Sequence, residues 1–117
     1  MKILLKRAYE EASPDDGARF LVDRLWPRGV SKKEIDLTGW LKELAPSPEL
    51  RRWFGHDPAR WEEFRKRYTS ELRNNAEVPE ILAGELKGKR KITLVYGARD
   101  SEHNHALVLK DFLEKAV

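Results

Sequence analysis

Apolar residues recur along this chain with two periods, and each predicts a different kind of element. Lys91 to Tyr96 (KITLVY) is the strongest strand signal, short and nearly continuous in apolar residues, as suits a central strand covered on both faces. The run from Ile3 to Leu5, continuing to Tyr9, predicts a first strand, and Ala18 to Asp23 (ARFLVD) a second. Between them Ser13-Pro14-Asp15-Asp16-Gly17 is turn chemistry, with Pro fixing φ, Asp bonding its own backbone and Gly accepting positive φ. Leu37 to Leu44 (LTGWLKEL) fits either period poorly; its abrupt stop at Ala45-Pro46-Ser47-Pro48 favours a strand.

The helical period lies elsewhere. Ser31 with Glu34 three residues later is a capping box for a short helix to about Ile35. Ser47 can cap a helix that begins at Pro48 and carries Leu50, Trp53 and Phe54. Asp57 caps and Pro58 begins the next, in which Trp61, Phe64, Tyr68 and Leu72 share one face. Glu62–Lys66 and Glu63–Arg67 add i,i+4 pairs in the favourable orientation. A further helix is predicted from about Pro79 to Lys87, ending at Gly88. Ser101 then reads as the cap of a last helix with Ala106, Leu109, Phe112 and Leu113 on its apolar side. This order predicts one small α/β domain over residues 1–117, a mainly parallel sheet of about four strands packed with helices. The link between the first two strands is short for a parallel crossover, which leaves that pair open to an antiparallel arrangement.

Composition narrows the picture. A chain of 117 residues is one domain, long enough for a single core. The absence of cysteine excludes disulfide scaffolds, thiolate metal sites and cysteine nucleophiles. No apolar run approaches the roughly 20 residues that span a bilayer, and MKILLKRAYEE turns charged too early for a signal peptide. A soluble, cytoplasmic protein with no membrane partner is the expectation. Gln is absent, Asn occurs only at positions 74, 75 and 104, and charges of both signs are dense, a pattern that matches a thermophile. The net charge of +3 suits an anionic ligand and falls short of a nucleic-acid footprint.

Two loops that follow strands hold the candidate chemistry: DRLWPRG at 23–29 and RDSEHNHA at 99–106. In open α/β sheets ligands bind beyond the carboxyl ends of the strands. Ser101 as a cap would place His103 and Asn104 in the first helical turn, where free N–H groups and the positive end of the dipole favour an anion and a neutral imidazole. On this reading Arg24, Arg28 and Arg99, with Asn104, hold the anion. His103 or His105 is the acid–base group, oriented by Asp23 or Asp100. The plainer reading has Asp100 and Ser101 capping the helix, the histidines at the surface, and Asp23 with Arg24 as an ion pair ordering its loop. Trp26-Pro27 would wall a pocket or, the safer assignment, plug the core.

No metal ligand set is assigned. His103 and His105 are two apart, which on a helix turns them roughly 200° from each other, and no H-E-x-x-H is present. The aromatics Trp53, Trp61, Phe64 and Tyr68 interleave with Arg51, Arg52, Arg60, Arg65 and Arg67, as in single-strand binders. They share one helical face, however, and the arginines alternate with Glu49, Glu62, Glu63 and Glu71, so a core stripe and a solvated face explain them better.

LVDRLWPRG, LKELAPSPELRRWFGHDPARWEEFRKRY and TLVYGARDSEHNHALVL together resemble the short, YeaO-like branch of the domain-of-unknown-function 488 family, over about residues 2 to 114. The resemblance implies a compact α/β domain, no established activity, and one site formed by the Asp23–Gly29 and Arg99–His105 loops. The longer branch carries cysteines in the loop matching residues 98 to 105; here that neighbourhood has Ala98 and Asn104 and no Cys, so thiol chemistry does not carry over. The favoured reading is a domain that binds, and acts on, a small anionic or phosphorylated molecule. The alternatives are a non-catalytic module for nucleic acid or protein, and a metal-dependent hydrolase. The residues name no cofactor and no oligomeric state.

Overall fold

The computed structural model describes residues 1–116. Four strands, β1 (Lys2–Arg7), β2 (Ala18–Leu21), β3 (Gly39–Trp40) and β4 (Lys91–Tyr96), form one sheet in the order β1-β4-β2-β3. Every pairing is parallel, with Lys2 opposite Lys91, Ala18 opposite Ile92 and Phe20 opposite Gly39. Five helices complete the fold: α1 (Lys32–Ile35), α2 (Pro48–Phe54), α3 (Trp61–Asn74), α4 (Glu77–Ala83) and α5 (His105–Ala116). It is a small α/β domain with KITLVY at its centre, and Ile92, Thr93, Leu94 and Val95 are wholly buried.

The antiparallel alternative for the first two strands does not hold: β4 lies between them, and both run parallel to it. Their connection still has to return to the same end of the sheet, and it does so without an α-helix. The link 8–17 opens with a turn closed by the Glu10 N–H on the Arg7 carbonyl and holds a 3₁₀ turn over Pro14–Asp16, capped by Ser13; at about 3.3 Å per residue it can retrace the length of a strand. The second strand is shorter than Ala18–Asp23, ending at Leu21, and Leu37–Leu44 yields only the two residues of β3 before a 3₁₀ turn over Lys42–Leu44. Gly39 permits even that pairing, since a Cβ there would sit 3.2 Å from the Phe20 ring.

The helix ends follow local capping. Ser31, Ser47 and Asp57 cap where the sequence places them, although Asp57 opens a 3₁₀ turn that leads into α3. The predicted Pro79–Lys87 helix is shifted: Asn75 accepts the Glu77 N–H and starts α4 earlier, while Gly84 ends it before Lys87. Its apolar anchor beyond the helix is Leu86, 1% exposed. The last helix begins at His105 rather than after Ser101. Asp100 Oδ1 takes the N–H groups of Glu102 and His103 into a separate turn, and Asn104 Oδ1 accepts the Leu107 N–H at 3.2 Å. His103 and Asn104 therefore precede α5 instead of forming its first turn.

One face of the sheet, with Phe20, Val22, Ile92, Leu94 and Tyr96, packs beneath α2, α3 and α5. Phe64, Tyr68 and Leu72 are buried there as the α3 stripe predicts, whereas Trp61 is only half-buried and meets the His103 ring edge-on at 5.5 Å. The other face carries a smaller cluster of Ala8, Leu21, Ile35 and Val95 against Trp26 and Trp40. That face also buries a charge network. Arg19, 3% exposed, pairs with Asp16 at 2.5 Å and donates to the Ile35 carbonyl, while Lys6 reaches Asp16 at 3.2 Å. Burial acts to raise the Asp16 pKa, but the Ser13 N–H, Lys6 and Arg19 outweigh it, so the carboxyl titrates below its usual value. No helix among the described residues is long and apolar enough to cross a membrane.

Candidate functional site

The chain leaves β2 towards α1 on one face and leaves β4 towards α5 on the other. The gap between these two neighbouring strands is thus a point where connections diverge, and a crevice opens beyond their carboxyl ends. Asp23 and Gly97 face each other across it. Asp23 Oδ2 accepts the Gly97 N–H at 2.9 Å, an approach that a side chain would block, because a Cβ on residue 97 would lie 2.9 Å from the same oxygen.

The first residue of α5 closes the group. His105 Nε2 lies 2.9 Å from Asp23 Oδ1 and 3.1 Å from the Val22 carbonyl. The two distances suggest two partners, but only the carbonyl lies along the N–H direction. Oδ1 is left as a buried acceptor with no hydrogen bond among the described residues. Nε2 and Oδ1 are thus close without a hydrogen bond between them, and the imidazole serves first to tie α5 to the end of β2.

Beside this group lies a cavity of about 390 Å³, lined from loop 23–28, from Ala45, Pro46, Arg51, Phe54 and His56 around α2, and from Gly97, Ala98, Asn104 and His105. Arg24 spans to the opposite wall and donates to the Ala45 and Pro46 carbonyls at 3.3 and 3.2 Å, with no carboxylate partner among the described residues. The Arg28 and Arg51 side chains make no hydrogen bond or ion pair among the described residues. Three arginines, Arg24 half-buried and Arg28 and Arg51 exposed, thus line the cavity against one acidic residue, Asp23. Tyr68 lies behind it, donating to the Leu44 carbonyl at 2.5 Å; burial, reinforced by Glu71 and Asp23 and opposed by Arg24, pushes its hydroxyl strongly upward, so it is a neutral donor.

The site residues named from sequence divide into two groups. Asp23, Arg24, Arg28, Asn104 and His105 come together around the cavity. Asn104 is already committed, donating to the Asp100 carbonyl and accepting from Leu107. Arg99, Asp100 and His103 lie outside it. Arg99 is exposed. Asp100 Oδ2 and His103 Nδ1 form their own pair at 2.9 Å, and the Glu102 N–H, then His103, hold the Asp100 carboxyl below its usual range. Their displacement follows from the Asx turn at Asp100, which points the 99–103 segment away before α5 begins. Sequence reasoning missed Arg51, Tyr9 and Phe54 as lining residues; His56, next to the Asp57 cap and read from sequence chiefly as structural with a ring that could reach the pocket, does line it. Arg51 follows the buried Leu50 and precedes Phe54 by three, so it flanks the apolar stripe of α2; nothing in the local pattern says that this flank faces the sheet end. No group of three or more His, Asp or Glu side chains converges at metal-binding spacing among the described residues.

The DUF488-N3i family model, described as the inactive DUF488-N3 subclade, matches residues 2–117. The uncharacterized protein YeaO of Escherichia coli K12 is 43% identical over 113 residues, covering 97% of each chain. An uncharacterized protein of Mycobacterium tuberculosis H37Rv is 41% identical over 112 residues, 96% of this chain and 93% of its own. No solved structure matches. The chain belongs to the DUF488 family and to this YeaO-like subclade of it.

Proposed function

We propose that this protein binds a small carboxylate or phosphate in the cavity between loop 23–28, α2 and the start of α5, without turning it over. The observation that carries the reading is the charge imbalance of the wall: Arg24, Arg28 and Arg51 against Asp23 alone, with Arg28 and Arg51 unengaged among the described residues. Guanidinium forks match carboxylate and phosphate geometry, and the half-buried Arg24 is screened less than the exposed Arg28 and Arg51 beside it. The start of α5 adds its partial positive charge at Asn104 and His105. Along the aromatic stripe of α3, Arg60 pairs with Asp57, Arg65 with Glu62 and Asp111, and Arg67 with Glu63. That pairing argues against a basic strand-binding face there.

Binding without chemistry is supported by the subclade's description as inactive and by His105, whose Nε2 is spent on the Val22 carbonyl. Asp100 and His103, the other acid–base candidates, lie outside the cavity. Titration calorimetry with inorganic phosphate tests the reading. At a hundredfold excess over Kd, binding only to the folded state is worth about 2.7 kcal/mol, a melting shift of about 10 °C for a chain of this size. Arg51→Ala should weaken binding at least fivefold, while Arg73→Ala, on α3, should not. Absence of heat and of any melting shift, or an Arg51→Ala protein identical to the parent, would overturn the proposal. Release of nitrophenol from 4-nitrophenyl phosphate, abolished by His105→Ala, would replace it with a catalytic reading.

A further inference from the structure

The cavity is far larger than an inorganic ion, and what lines the rest of it is not polar. Its volume of about 390 Å³ falls in the range of small-molecule sites, roughly 300–1,000 Å³. Trp26, Pro27, Phe54 and Phe64 supply carbon to its inner wall, and the Phe54 and Phe64 rings stack with centroids 4.3 Å apart. At the mouth stand Tyr9, 51% exposed, and Leu25, 60% exposed; the one other large apolar residue so exposed among the described residues is Met1. Two of the most solvent-facing apolar side chains of the molecule thus converge on one opening, beside unengaged arginines.

Most polar groups of the inner wall are already spent. Trp26 Nε1 donates to the Val30 carbonyl, Asp23 Oδ2 accepts from Gly97, the Asn104 amide is used on both sides, and His105 Nε2 faces the Val22 carbonyl. The one buried side-chain atom left without a hydrogen bond among the described residues is the acceptor Asp23 Oδ1. One acceptor does not satisfy the several hydroxyls of a sugar or the edge of a nucleobase, so burying such groups against this wall would strand most of them.

Resting on the anion-site reading above, we infer that the ligand is an amphipathic anion: one carboxylate or phosphate held by Arg28 and Arg51, joined to an apolar, ring-sized body that covers the aromatic wall and is bordered by Tyr9 and Leu25. Charge selects the headgroup and apolar bulk selects the remainder; sugar phosphates and nucleotides are discriminated against by desolvation.

Calorimetric titration of the full chain at about pH 8.5, where all three probes are dianions because their second pKa values lie near 6 to 7, tests this with inorganic phosphate, glycerol 2-phosphate and phenyl phosphate. Burial of a phenyl group should make phenyl phosphate bind about 10- to 30-fold more tightly than inorganic phosphate, with glycerol 2-phosphate no tighter than the inorganic ion. Leu25→Ser, at an exposed position that the fold tolerates, should lower phenyl phosphate affinity several-fold more than that of inorganic phosphate. If inorganic phosphate binds through Arg51 but phenyl phosphate shows no gain, or glycerol 2-phosphate binds best, the amphipathic ligand is wrong and the anion site stands. If none of the three binds, both fall together.

Discussion

Gly97→Ala isolates the contact that ties the two central strands together beyond the sheet. An added Cβ would meet Asp23 Oδ2 at 2.9 Å, and an ordinary contact needs about half an ångström more. The carboxylate has little room to withdraw, because it holds the Gly97 N–H at 2.9 Å and lies as close to His105. Displacing it weakens a charge-assisted hydrogen bond worth about 1.5–3 kcal/mol. Against this, alanine restricts the unfolded chain and returns about 0.4–1 kcal/mol, since residue 97 does not adopt the left-handed backbone that would strain it. The net cost should be about 1–2 kcal/mol, a fall of roughly 0.5–1 M in the urea midpoint at an m of about 2 kcal/mol/M. The decisive comparison is the same substitution in an Asp23→Ala background. There the clash is gone and only the unfolded-state term remains, so Gly97→Ala should stabilise by about 0.5 kcal/mol. A destabilisation of the same size in both backgrounds would refute the account, because it would place the cost in the backbone rather than in the Asp23 contact.

Other consequences are equally open to measurement. Asp16 has a folded pKa below its unfolded one, so its contribution is fully present above about pH 4 and is lost as pH falls through the folded value; Asp16→Asn should flatten that acid limb in pH-dependent urea melts. It should also cost about 3–5 kcal/mol at neutral pH, since it strands the buried Arg19. Phe64→Ala, at 1% exposure, should cost about 3–5 kcal/mol by chemical denaturation, and Trp61→Ala clearly less because that ring is only half-buried.

Much of the fold is local and was therefore readable. KITLVY, the caps at Ser31, Ser47 and Asp57, and the Phe64, Tyr68, Leu72 stripe each depend on residues within a turn or two of one another. What escaped depends on distant chain. The direction of β2 is set by β4, which no short window around Ala18 contains. The start of α5 was a contest between two capping side chains, and Asp100 closing its own turn decided it for Asn104. The candidate site follows the same division. Asp23, Arg24, Arg28 and His105 sit where strand ends place them, but Arg51 replaces Arg99 at the cavity because α2 packs across the end of the sheet. That arrangement is tertiary, and no pattern within PELRRWF encodes it.

The strand order also sets a timetable for synthesis. Lys2 pairs with Lys91 and Ala18 with Ile92, so the first two strands to leave a ribosome have no sheet partner in each other. Only β2 and the two-residue β3 can join before β4 is made. Until then β1 presents an unpaired edge and α2 and α3 have no completed sheet to cover. Such delayed, long-range closure makes for slow folding and prolonged exposure of apolar surface. A nascent chain halted before Lys91 should accordingly be held by chaperones and cut readily by proteases, and one extended past α5 should resist both.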